Sequence, residues 1–172
     1  MNTILLGNAV AFIGAIVMVA TGLIKSKKNI LIAQSVQFTI MGIGNLILGG
    51  FTGFMSNMVS IVRNVVCLKT TLTVPLKLLF IAIQIILGGL VNNLGLIGWM
   101  PVCAACIFTW ILDTDNEILL KAVIIAMQVM WCIFDFTIQN YISLAMDLFT
   151  IISNAAGIFL IKKAEKNSGE AI

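Results

Sequence analysis

One arginine, Arg63, sits inside an otherwise apolar run, with polar residues around it at helical spacing. Asn57 and Asn64 are seven positions apart, about two turns, so they share a helix face with Ser60 between them. Asp147, Thr150 and Asn154 form a second stripe of the same kind towards the end of the chain. Amides, hydroxyls, a carboxylate and a guanidinium make a wall that donates and accepts hydrogen bonds, which is the chemistry of binding. The chemistry of catalysis is missing. There is no histidine, which removes His-ligated zinc, Ser-His-Asp and Cys-His catalysis and a His proton relay. No carboxylate pair is spaced along the chain for acid–base work, and there is no Walker motif. The expectation is a protein that is not an enzyme and needs no cofactor or metal.

Other reactive types are weaker candidates. Cys103 and Cys106 have C-x-x-C spacing, but they lie in an apolar run with no second pair and read as small residues that let helices approach. Cys67 and Cys132 are also in apolar runs, so a disulfide framework is not expected. Trp131 falls deep in a hydrophobic segment, where it either packs or stacks on a solute ring. Gln34, Gln37 and Gln128 either add to a polar wall or bond helix to helix.

The elements that position these residues follow from composition. Of 172 residues, 60% are hydrophobic and only 10% charged, and the mean hydropathy is +1.12. A soluble domain carries roughly a quarter charged residues, so the solvent of this chain is mostly lipid. The net charge of +3 comes from lysines at segment ends and does not suggest a nucleic-acid partner. A bilayer core takes about 20 apolar residues per helix. Seven candidate spans result: 4–24, 29–48, 51–68, 75–91, 94–112, 118–136 and 139–161. They fill the chain as one membrane domain, 1–172. Met1-Asn2-Thr3 lacks a basic n-region, so the first run is expected to be a retained helix rather than a signal peptide.

Lysine placement sets the orientation. Lys25, Lys27 and Lys28, then Lys69 and Lys77, then Lys121, then Lys162, Lys163 and Lys166 mark every second connection; the others carry no lysine. Seven spans with the N-terminus outside and the C-terminus in the cytoplasm satisfy the whole pattern.

An internal repeat is also legible. A shift of 90 residues, without gaps, lays 4–69 over 94–159. Asn45 falls on Asp135, Asn57 on Asp147, Ser60 on Thr150, Arg63 on Ser153 and Asn64 on Asn154. Window 51–68 holds six polar residues and 141–158 five, and four of those five land on a polar partner, against the one or two that chance would give. Two unrelated helices with polar stripes are the alternative. If the repeat is real, 4–69 and 94–161 are parallel three-helix units joined by a linker helix at 75–91, and the two stripes face a midplane cavity. Polar side chains are costly against lipid and belong inside the bundle.

Within that frame, Arg63 carries a charge whose insertion at mid-helix costs about 2.5–3.5 kcal/mol. It either snorkels to the nearby membrane edge or points inward, to pair with Asp147 or offer its fork to an anionic group. Asp135 reads as a solvated residue at a helix end. Asp147 reads as lining the cavity, where a carboxylate could couple solute movement to protons.

This all-α, seven-helix 3+1+3 architecture resembles SWEET-type transporters, the fold shared by SWEET and SemiSWEET sugar carriers, PQ-loop proteins and nicotinamide riboside transporters. The near-absent loops and short tail resemble more closely the YgjV family of bacterial inner-membrane proteins. The SWEET resemblance implies that an asparagine in each of the third and seventh helices lines the substrate site, and Asn64 and Asn154 hold such positions. It departs from the pattern in having no proline in the first helix and no Pro-Gln pair; only Pro101 matches a hinge proline. The expectation is a small-solute transporter in the bacterial inner membrane, with the bilayer and a small polar solute as partners and a homodimer as a possible assembly. The alternatives are the binding subunit of a vitamin-uptake complex, for which Ala11-x-x-x-Ala15 resembles a coupling surface, and a scaffold that transports nothing.

Overall fold

The computed structural model describes residues 2–21, 26–112 and 114–169. Lys25, Asp113 and the end of the span expected at 4–24 lie outside the described residues, as do the side chains of Lys27 and Lys166. Among the described residues there are seven α-helices: α1 (Thr3–Thr21), α2 (Lys27–Ile47), α3 (Phe51–Cys67), α4 (Val74–Val91), α5 (Trp99–Ile111), α6 (Glu117–Thr137) and α7 (Tyr141–Gly169). Local signals explain several starts. Pro75 stands in the first turn of α4, where a missing N–H costs nothing. The Asn116 side chain accepts from the backbone N–H of Leu119 at 2.9 Å and caps α6.

Four helices are long and apolar enough to cross a membrane: Lys28–Ile47, Val74–Val91, Glu117–Thr137 and Tyr141–Lys163. α3 is 17 residues and buries only polar or small ones, namely Thr52, Gly53, Ser56, Asn57, Ser60, Arg63 and Asn64. Its exposed residues include Phe51, Val62 and Val65. The helix is inside-out relative to a soluble protein, as lipid solvent requires.

α5 departs from expectation. It starts at Trp99 and has 13 residues, about 20 Å. The residues before it turn instead of continuing the helix. The Asn92 side chain accepts from the Leu94 N–H at 3.0 Å and donates to the Gly95 carbonyl at 2.8 Å, and Gly95 has φ +58°. α7 continues beyond the expected end at 161, carrying the exposed Lys162 and Lys163.

Each helix packs on its chain neighbour. Two further contacts, α1 on α7 and α3 on α5, close a ring of six helices, and α4 lies outside that ring against α3 and α5. Polar bonds hold α4 there. Gln84 Nε2 donates to Ser56 Oγ at 2.6 Å, and Lys77 Nζ donates to the Trp110 carbonyl at 3.1 Å while sitting 5.9 Å from that ring's centroid. Lys77 is therefore buried in a helix contact and is not a free loop charge.

The α2–α3 and α6–α7 turns are copies of one another at an offset of 90. Leu48 N–H donates to Gly44 O and Ile138 N–H to Phe134 O, both at 3.1 Å. Gly49 donates to Leu46 and Gln139 to Phe136, both at 3.2 Å. Gly50 donates to Asn45 and Asn140 to Asp135, both at 2.8 Å. Gly49 (φ +80°) and Gln139 (φ +60°) both take the left-handed conformation that closes such a helix end. Each of these two residues also has its carbonyl capped by an asparagine from elsewhere in the chain: Asn93 on Gly49 at 3.0 Å, Asn8 on Gln139 at 2.8 Å.

Candidate functional site

Inside the ring lies a half-open cavity of two adjoining lobes, about 270 Å³ and 120 Å³, lined by both polar and apolar side chains. Every helix except α4 contributes to its wall. Met18, Gln37, Phe38, Asn57, Gln128 and Trp131 border both lobes. The larger adds Gln34, Ser60, Arg63, Phe108 and Thr150; the smaller adds Asn45, Asp135, Ser143 and Asp147.

The larger lobe is built around Arg63, which is only 2% exposed. It does not snorkel, and it does not pair with Asp147. Its Nη1 donates to Thr109 Oγ1 at 3.1 Å and Nη2 to Asn64 Oδ1 at 3.4 Å, and the guanidinium carbon lies 5.1 Å from the Phe108 centroid. Nε is buried without a hydrogen-bond partner in the protein.

The smaller lobe lies near the paired turns. Asp135 is 2% exposed and so is not the solvated end residue its position beside a turn suggests. The turn is tight, and Asn140 and Asn45 close over it: Asn140 Nδ2 donates to Asn45 Oδ1 at 3.1 Å and to Asp135 Oδ1 at 3.5 Å. The Asp135 and Asp147 carboxyl groups are turned towards each other. Gln128 Nε2 donates to Asp147 Oδ1 at 2.9 Å, and the two carboxyl groups hydrogen-bond to each other. No pairing of these two acids shows in the linear spacing, because they come from different helices twelve positions apart.

Asn57, Ser60, Arg63, Thr150, Asp147 and Trp131 are thus brought to one cavity. Asn64 is buried behind it, supporting Arg63. Asn154 is not brought to Asn64. Its Nδ2 donates to the Thr150 carbonyl of its own helix at 2.9 Å, and it lines a cleft with Ser153 and Phe149 that meets the larger lobe at Met18 and Thr150. Among the described residues the α3 and α7 backbones do not come within 8 Å of each other.

Trp131 packs edge-on against Phe134, centroids 5.7 Å apart, with the rest of its ring on the cavity. Cys103 and Cys106 are free thiols, the first exposed. Ala11 and Ala15 are buried, so they present no free coupling surface; Ala11 meets α2 beside Gly44.

The model of the Imp-YgjV family, described as bacterial inner membrane protein, matches residues 5–165. The search of the curated proteins and that of the solved structures returned no match.

Proposed function

Because the chain belongs to the Imp-YgjV family of bacterial inner membrane proteins, we propose that this cavity is the substrate site of a small-solute transporter working by alternating access. The observation that carries this reading is a cavity walled by α1–α3 and α5–α7, with α4 outside. The helix contacts support two repeats. Exchanging α1 for α5, α2 for α6 and α3 for α7 turns the α1–α7 contact into α5–α3 and leaves the set of contacts within the ring unchanged. The copied turns obey the same exchange. Repeats 4–69 and 94–161 would then rock against each other about the cavity, with α4 as linker, in the SWEET-like 3+1+3 manner. The lysines support the orientation. With helices alternating in direction, the exposed Lys28, Lys69, Lys162 and Lys163 fall at one end, here the cytoplasmic one.

Single-cysteine labelling tests the mechanism. In a variant with the four native cysteines replaced, Ser60→Cys reconstituted in vesicles should react with an impermeant thiol reagent applied to either face. Reaction from one face only, or from neither, overturns alternating access and leaves a scaffold. Reporter fusions test the topology: those after Lys28 and Lys69 should read cytoplasmic and one after Asn93 external. A cytoplasmic signal at Asn93 rejects both the orientation and the parallel repeat.

A further inference from the structure

We propose that the solute is a small organic carboxylate, held at its anionic group by the guanidinium of Arg63. This deepens the transport reading and rests on it. A buried guanidinium ordinarily has a carboxylate beside it. Arg63 has instead two neutral acceptors, the Thr109 hydroxyl and the Asn64 amide oxygen, and the face of Phe108. Among the described residues no Asp or Glu bonds to it. Two of its nitrogens are engaged, and Nε is left unpartnered while the side chain borders the larger lobe. A guanidinium presents its donors as a planar fork that fits the two oxygens of a carboxylate. Thr109 and Asn64 hold that plane in place from behind, so little ordering is left for the solute to impose.

The opposite end of the cavity carries acidic groups. There Asp147 Oδ1 accepts from Gln128, and the Asp147 and Asp135 carboxyl groups hydrogen-bond to each other. Arg63 lies thirteen residues along α3 from Gly50, and Asp147 seven along α7 from the matching Asn140. At 1.5 Å rise per residue, the two groups differ in depth by about 9 Å. A solute carboxylate therefore belongs at the Arg63 end of the cavity and not at the Asp135–Asp147 end. Asn57 and Gln128, which border both lobes, flank the middle of the cavity.

Thermal denaturation of the detergent-purified protein tests this with matched pairs: lactate against lactamide, glutamate against glutamine, and inorganic phosphate as a separate arm. A ligand that binds only the folded state raises its apparent stability. At least one carboxylate should stabilise the protein, and its Kd should be at least tenfold lower than that of its neutral amide. Arg63→Gln should abolish the response, and Arg63→Lys, which keeps the charge but loses the fork, should weaken it about tenfold or more. The wild-type comparison stands even if Arg63→Gln fails to fold. Equal stabilisation by acid and amide, no response to any carboxylate, a response to phosphate alone, or a full response in Arg63→Gln each overturns the proposal. Failure here with Ser60→Cys still labelled from both faces leaves the transport reading intact. Carboxylate binding with one-sided labelling overturns transport and keeps the anion site.

Discussion

Phe134→Ala should destabilise the folded protein by about 3 kcal/mol, the low end of the range for removing a buried aromatic ring. Phe134 is fully buried where the two halves meet. Its ring fills the space left by two glycines of α3 and its N-cap. A Cβ on Gly53 would lie 2.6 Å from Phe134 Cε1, and one on Gly50 would lie 2.9 Å from Cζ. It also meets Trp131 in a T-shaped pair, an arrangement worth about 0.5–1.5 kcal/mol beyond area. The low end applies because lipid is itself apolar, so the loss is of packing more than of transfer from water. Phe136, two residues on, is 66% exposed and faces lipid. Phe136→Ala should change stability by no more than about 0.5 kcal/mol. Reversible unfolding in mixed micelles measures both. Equal losses in the two variants would mean that the halves do not meet at Phe134.

Phe134 also marks where sequence patterns stopped being informative. Hydropathy and lysine placement marked seven segments, and the 90-residue shift aligned Asn45 with Asp135, which the copied turns bring into one cluster. The α3 stripe was legible because helical spacing alone puts Asn57, Ser60 and Asn64 on one face, and that face is the buried one. The seventh helix was less so. Its stripe has the same spacing, but Asn154 bonds back to its own backbone and Asp147 is reached by Gln128. Spacing tells which residues share a face, not which partner each finds. Asp135 was misplaced for a related reason: nearness to a turn suggests water only when nothing covers the turn, and here Asn45 and Asn140 do. The bonds of Gln84 to Ser56 and of Lys77 to the Trp110 carbonyl join positions tens of residues apart with no periodic signature. α5 came out short because Asn92 could bond its own turn, a local choice that hydropathy does not register.

Asn57→Val should abolish solute-induced stabilisation, and Asn154→Val should leave it intact. The two asparagines are matched in type and in helix, one on α3 and one on α7, but not in surroundings. Asn57 is 6% exposed, borders both lobes and spends no side-chain hydrogen bond on the protein among the described residues. Its amide is therefore available to a solute. Removing it leaves the solute's own polar group unmatched, at about 1–3 kcal/mol, which is tenfold or more in Kd for most of that range. The fold should not suffer, since valine replaces a polar group that no protein atom bonds. The Asn154 amide already has its partner in the Thr150 carbonyl, and it lines the neighbouring cleft and neither lobe. The measurement is a titration of each variant with the compound that most stabilises the unmodified protein. A response lost in Asn154→Val but kept in Asn57→Val would move the site into the cleft beside α7. A full response in both would mean that neither stripe holds the solute. It would also mean that the polar faces of α3 and α7 serve to bond helices together.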